Sequence, residues 1–243
     1  MADLKGHVAV VTGASSGIGR AIALELAAHG ASLCLVGRKL ETLEVVAESV
    51  SETSSEVRSY EADLTLDEDV HKLKEHLERD FGYIDILIHS AGGISFGKIE
   101  NARIEEFDWQ FRINVRAPYL FTQTLLPMIR SRKGQIVFIN SSAGVRASAN
   151  VSQYAASKFA LKAIADSLRE EINEEGVRVL SVYPGRTATP MQSAIHKMEG
   201  REYHPELLMQ PADVAATVVN ALSLPGSAEV TEIFVRPMNK LTE

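Results

Sequence analysis

The sequence predicts an α/β fold: one domain with a doubly wound, mainly parallel sheet of about seven strands and helices on both faces. Three observations point there. Short apolar, β-branched runs alternate with longer runs of helical periodicity along the whole chain. A glycine-rich turn joins the first strand directly to the first helix. No linker, repeat or low-complexity stretch divides the 243 residues, a length that one large domain accommodates.

The elements follow in order. Valine-rich residues 8–11 read as a strand, and 17–29 as a helix stopped by Gly30. Residues 32–36 are apolar throughout, as a strand covered on both faces must be. Residues 40–52 are helical, with Leu40, Leu43, Val46, Ala47 and Val50 on one stripe. A short strand at 56–61 precedes a helix over 66–80 that carries Val70, Leu73 and Leu77 at helical spacing. Strand 84–88 is followed by one long helix at 103–130, expected to bend near Pro118. Strand 135–139, a small-residue loop at 141–150, a helix over 152–174 and a strand at 177–182 come next. Residues 211–222 read as a helix and 230–235 as the last strand. Right-handed crossovers would wind these units on both sides of the sheet, in a Rossmann-like arrangement. Residues 192–210 break the rhythm, and so long a connection is usually functional or mobile.

Composition narrows the function. Hydrophobic residues make up 45% of the chain and the formal net charge is −7, with acids and bases interspersed. This suits a soluble protein and argues against a nucleic-acid partner, which would require a basic face. No apolar run reaches the length of a membrane span, and no signal-peptide core precedes the first strand, so no membrane association and a cytoplasmic location are expected. The single cysteine, Cys34, lies in an apolar run and reads as a buried, inert thiol. No metal site is expected.

Two motifs carry chemistry. The run T-G-A-S-S-G-I-G over 12–19 places Gly13, Gly17 and Gly19 where a strand becomes a helix. Glycine lets the backbone approach a pyrophosphate, and the helix start offers free N–H groups and a positive dipole end. At the end of the second strand Gly37 stands where an acid would hold the ribose hydroxyls of NAD, and Arg38 and Lys39 follow. Two cations without a carboxylate favour NADP. Further on, Tyr154 and Lys158 stand one helical turn apart and share a face. An ammonium beside a phenol favours the phenolate and is expected to lower its pKa, which poises the pair for proton transfer.

With these motifs in their order, the chain resembles the short-chain dehydrogenase/reductase family, in its single-domain branch, from His7 to Pro237. The match runs residue by residue. Thr12, Gly13, Gly17 and Gly19 fit T-G-x-x-x-G-x-G, within which Ser15, Ser16 and Ile18 are also expected to touch the cofactor. Asp63, followed by Leu64, fits the acid that holds the adenine ring, although it also reads as a cap for the helix near Leu66. Ala91 and Gly92 fit the N-N-A-G turn, but His89 and Ser90 replace its two asparagines, which puts the side-chain bracing of that turn in question. Asn114 fits the asparagine of the long helix. Ser141, thirteen residues before Tyr154, fits the catalytic serine better than its neighbour Ser142. Pro184, Gly185 and Thr189, with Thr187 between them, fit the P-G-x-x-x-T run at the nicotinamide end.

The resemblance implies hydride transfer between nicotinamide and a carbonyl or alcohol carbon. Ser141 and Tyr154 would stabilise the oxygen, Tyr154 would transfer the proton, Lys158 would hold the nicotinamide ribose, and Asn114 would hold a relay water. It also implies a small-molecule substrate and a homodimer or homotetramer. Residues 189–210 are expected to form a substrate lid, with Met191, Ile195, Met198, Leu207 and Met209 as an adaptable lining. A non-catalytic dinucleotide sensor, an NAD-preferring dehydrogenase, and an epimerase or dehydratase on the same fold are the competing readings.

Overall fold

The computed structural model describes residues 4–54 and 56–238. The first three residues, part of the N-terminal segment read above for targeting, lie outside this range.

Among the described residues seven strands form one sheet: β1 (Val8–Thr12), β2 (Ser32–Gly37), β3 (Val57–Glu61), β4 (Ile86–His89), β5 (Gln135–Ile139), β6 (Arg178–Pro184) and β7 (Glu232–Val235). Their spatial order is β3-β2-β1-β4-β5-β6-β7, and every pairing is parallel. The expected "mainly parallel" sheet is thus parallel throughout. The helices are α1 (Gly17–Ala28), α2 (Leu40–Val50), α3 (Asp67–Asp80), α4 (Ile104–Phe111), α5 (Ala117–Arg130), α6 (Ser152–Ile172), α7 (Pro190–Glu199) and α8 (Pro211–Leu222).

Strand side chains alternate between the two faces, so each strand feeds two cores. Ala9, Val11, Leu33, Leu35, Ile86 and Ile88 pack with Ile22 and Leu26 of α1, Leu43 and Val46 of α2, and Val214 and Val218 of α8. Val8, Val10, Cys34, Val36, Leu87 and Phe138 pack with Val70 and Leu73 of α3, Phe121 and Leu125 of α5, and Leu161 and Ala165 of α6. This is why the central strands read as continuous apolar runs. Cys34 is buried, and burial pushes its thiol up, away from the reactive thiolate.

Three sequence-predicted elements differ. The long helix at 103–130 is α4 and α5 joined by a π-helical stretch, Arg112–Arg116. Pro118 has no N–H for the carbonyl four residues back, at Asn114, and its ring crowds that carbonyl. The widened turn relieves both problems without a break. The connection at 192–210 contains a regular helix, α7, with Pro190 in its first turn and the Thr189 side chain accepting from Gln192 N at 3.1 Å. Finally, Leu66, not Asp63, caps α3. Asp63 instead makes an Asx turn, accepting from Thr65 N at 2.9 Å and Thr65 Oγ1 at 2.7 Å.

Candidate active site

The strand order reverses direction between β1 and β4, the switch point at which open parallel sheets form a crevice beyond their carboxyl ends. A cavity of about 530 Å³ lies there. Gly13, Ser15, Ser16, Gly17, Ile18, Arg38, Asp63, Leu64, Ser90, Ala91, Gly92, Ser141, Tyr154, Lys158, Pro184, Gly185, Thr187 and Thr189 all line it. Thr12, Gly19 and Asn114 do not reach its surface; they are buried behind it and hold its walls.

At one end the backbone forms a cradle. Gly13 and Gly17 have φ of +66° and +56°, the left-handed region that glycine enters without strain. A methyl on Gly13 would lie 2.9 Å from Ala91 N and Cα, and one on Gly19 would lie 2.4 Å from Gly13 O. The cap residue of α1, Ser16, makes no side-chain cap bond, so the first N–H groups of the helix keep their donor capacity. Thr12 Oγ1 accepts from Ser90 N at 3.0 Å and Ala91 N at 3.1 Å and reaches Ile88 O at 3.2 Å. The turn with the unusual His89-Ser90 pair is therefore braced from β1.

His89 is no proton donor. It stacks on Phe138 with ring centroids 4.9 Å apart, and its Nε2 lies 2.8 Å from Thr122 Oγ1. Burial pushes its pKa down to about 3, so it is neutral at physiological pH.

At the other end, α6 presents Tyr154 and Lys158 to the cavity, both buried. The Ser141 hydroxyl, which accepts from Ala143 N at 3.1 Å, and the Tyr154 phenol line the same cavity. Lys158 Nζ donates to Ile139 O at 3.0 Å and lies 5.8 Å from the Tyr154 ring centroid. Burial pushes the Lys158 pKa down to about 8. It also raises the Tyr154 pKa, while the Ser141 hydroxyl pulls the other way. This corrects the expectation that Lys158 lowers the phenol's pKa: in the protein alone desolvation dominates, and the ammonium faces a strand carbonyl.

Asn114 sits in the π-helical stretch. Its Oδ1 accepts from Gly93 N at 2.9 Å, and its Nδ2 donates to Gly93 O at 2.8 Å and Ser157 Oγ at 3.0 Å. It thereby ties the 90–93 turn to α6, and a π-bulge at such a point is common in functional sites.

Several residues escaped the sequence reading. Asn140 is buried; it accepts from Ser141 N at 2.9 Å and donates to Lys158 O at 3.1 Å, which locks the serine loop to α6. A polar residue at the end of an apolar strand was the available signal. Gln110 accepts from Ser95 N at 3.0 Å and donates to Gln153 Oε1 at 2.9 Å, a network invisible in one dimension. Trp109 covers Gly93, where a methyl would lie 2.2 Å from the indole. Arg186 and Glu199 form a bidentate ion pair at 3.0 and 3.1 Å and both line the cavity.

The expected lining of the 189–210 segment is corrected in part. Met191 and Ile195 line the cavity, but Met198 and Leu207 are exposed away from it and Met209 is buried in the core. Leu207 belongs to a short 3-10 turn, and Met209 is drawn inward because Thr187 and Met209 pair in a β-bridge.

A parallel seven-stranded sheet, a glycine cradle at its switch point and a Ser-Tyr-Lys cluster facing the same cavity define a dinucleotide-binding oxidoreductase architecture. The family model for short chain dehydrogenases matches residues 7–200. The chain belongs to the short-chain dehydrogenase family. It is 35% identical over 239 residues to an uncharacterized oxidoreductase of Staphylococcus epidermidis, covering 98% of this chain and 100% of the relative. A Staphylococcus aureus oxidoreductase, also uncharacterized, is similar to the same degree. Among solved structures, an alcohol dehydrogenase from Thermococcus sibiricus complexed with 5-hydroxy-NADP superposes with a TM-score of 0.88 at 26% identity, covering 98% and 99% of the two chains. L-sorbose reductase from Gluconobacter frateurii, complexed with NADPH and L-sorbose, gives 0.88 at 27% identity, covering 99% and 98%. A metagenomic short-chain oxidoreductase in complex with NADP gives 0.84 at 31%, covering 98% and 99%.

Proposed function

We propose that the protein is an NADP-dependent oxidoreductase that interconverts a carbonyl compound and its alcohol. The observation that carries this reading is the one cavity lined by both the glycine cradle and the Ser141-Tyr154-Lys158 cluster.

The residues fit a nicotinamide dinucleotide. The turn from Gly13 to Gly17 and the start of α1 would take the pyrophosphate, where added methyl groups would collide with backbone. Asp63 and Leu64 would border the adenine. Arg38, exposed at the end of β2 with Gly37 before it, would pair with a 2′-phosphate that a carboxylate there would repel. Solved relatives bound to NADP favour the same choice.

A bound nicotinamide would supply or accept the hydride. The protein manages the proton and the oxygen. Ser141 and Tyr154 line the same cavity, so a carbonyl oxygen between them would meet two donors. As negative charge grows on that oxygen, Tyr154 passes its proton across; in oxidation the phenolate takes the proton back. Burial holds the phenol protonated in the protein alone, which suits it as an acid for reduction. Lys158 would stabilise the phenolate left behind and hold the ribose, once its ammonium turns from Ile139 O. Asn114, locked between Gly93 and Ser157, keeps the back wall in register.

Residues 189–210 would act as the substrate lid, with Thr189 against Gly17 as its near anchor. A homodimer or homotetramer in the cytoplasm completes the reading; no helix among the described residues is long and apolar enough to cross a membrane. The test is consumption of NADPH and NADH, in parallel, across a panel of ketones, aldehydes and alcohols. Oxidation of neither coenzyme with any carbonyl compound, despite binding of NADPH, would favour a sensor instead.

A further inference from the structure

We propose that the substrate is an uncharged, largely apolar carbonyl compound, and that Glu199 determines this specificity by occupying the Arg186 guanidinium in the cavity wall. The inference rests on the reductase reading above and deepens it.

The two ends of the cavity differ in chemistry. The phosphate end has the glycine cradle, Arg38 and Asp63. Helix α7 begins there, with Thr189 Cγ2 only 3.1 Å from where a methyl on Gly17 would stand. Ten residues of α-helix then run about 15 Å to Glu199. Glu199 consequently stands at the far end of α7 from the Thr189–Gly17 contact.

Around the reacting cluster apolar side chains stand among the polar Ser142, Ser148 and Asn150. Trp109 lies on Gly93, next to Gly92, where a methyl would come within 3.9 Å of Lys158 Nζ. Ile94 and Phe96 continue that segment, and Val151 precedes Tyr154 by three residues at the start of α6. Met191 and Ile195 face the cavity from α7. The apolar side chains reward burial of hydrocarbon, which a carboxylate or a polyhydroxyl chain does not supply.

The Arg186 guanidinium is matched by the Glu199 carboxylate. Arg186 Nη1 and Nη2 meet Glu199 Oε2 and Oε1 at 3.1 and 3.0 Å. That is the planar two-bond geometry by which a guanidinium would otherwise recognise a substrate carboxylate. Arg201 Nη1 approaches the same carboxylate at 3.6 Å, and Lys158 is turned to Ile139 O. An incoming keto acid would meet the Glu199 carboxylate with Arg186 already taken. In the supported reaction the carbonyl carbon gains a hydride from NADPH and the oxygen gains a proton from Tyr154, giving the alcohol and NADP⁺; no substrate charge takes part.

The test compares three compounds with the full-length protein and NADPH: an aryl methyl ketone bearing a methyl ester, the same ketone as the free acid, and a ketose. The wild type is expected to favour the ester over the acid by about 100-fold in kcat/KM, and to use the ketose poorly. Glu199→Gln should narrow the ester-to-acid ratio by about tenfold through a lower KM for the acid. Arg186→Leu added to Glu199→Gln should restore the wide ratio. Turnover of the ester with equal or better use of the acid or ketose by the wild type would overturn the inference while leaving the reductase reading intact. So would an unchanged ratio in Glu199→Gln. Failure to oxidise NADPH with any carbonyl compound would remove the reductase reading and this inference with it.

Discussion

Adding one methyl group at Gly144 is expected to disable catalysis while sparing cofactor binding. Gly144 ends the short 3-10 turn that begins at Ser142, just after Ser141. A Cβ there would lie 2.4 Å from Asn140 Oδ1, 3.1 Å from Asn140 Cγ and 3.0 Å from Lys158 O. None of these is the loose end of a flexible chain. Asn140 is held by Ser141 N and Lys158 O, and Lys158 O is helix backbone. Ordinary contact requires roughly 1 Å of separation between the Ser141 loop and α6, and misplacement on that scale costs on the order of 100-fold in rate. Ser141 stands on one side of this gap and Tyr154, on α6, on the other, so the loss falls on kcat. Overpacking should also cost about 1–3 kcal/mol of stability. The glycine cradle lies at the other end of the cavity, and NADPH affinity should change by less than about threefold. Steady-state kinetics, fluorescence titration of NADPH and urea unfolding of Gly144→Ala measure the three quantities. Gly226→Ala is the control, because a methyl there meets nothing within 4 Å. A kcat within about threefold of wild type would refute the proposed coupling between the serine loop and α6.

Other perturbations probe separate parts. Tyr154→Phe removes the proton donor and should lower turnover by about 10²–10⁴-fold, while NADPH titration shows binding retained. Burial lowers the Lys158 pKa to about 8, whereas an unfolded lysine titrates near roughly 10.4. Between these values the unfolded chain binds the extra proton, so stability should rise with pH through this window. Above about 10 the buried Tyr154 phenol, with its raised pKa, opposes the trend. Urea midpoints measured across this range should show a slope that Lys158→Met abolishes; an equal slope in the variant would contradict the assignment. Arg38→Ala should shift the kcat/KM ratio of NADPH to NADH by about tenfold toward NADH, and an unchanged ratio would place the 2′-phosphate contact elsewhere.

Much of this protein was legible in one dimension because its strands are covered on both faces and its helices on one, which writes distinct periodicities into the chain. The glycine turn was equally plain: Gly13 and Gly19 stand where backbone meets backbone at distances that only a missing side chain permits, and Gly17 takes a left-handed φ of +56°. The pairing of Tyr154 with Lys158 needed no more than the pitch of a helix. What the linear order could not supply were contacts between segments distant along it. Asn140, Gln110 and Trp109 acquire their roles from partners on other elements, and so does the Arg186–Glu199 pair. The direction in which the Tyr154 pKa moves was misjudged for the same reason. Spacing brings an ammonium near a phenol, but burial and the Ile139 carbonyl decide where that ammonium points and how much water the phenol loses. Periodicity and local sterics act through the chain itself and therefore determined the elements and the cradle from sequence. Desolvation and long-range hydrogen bonding exist only once the chain has closed on itself, so the tertiary structure alone decided the electrostatics of the site.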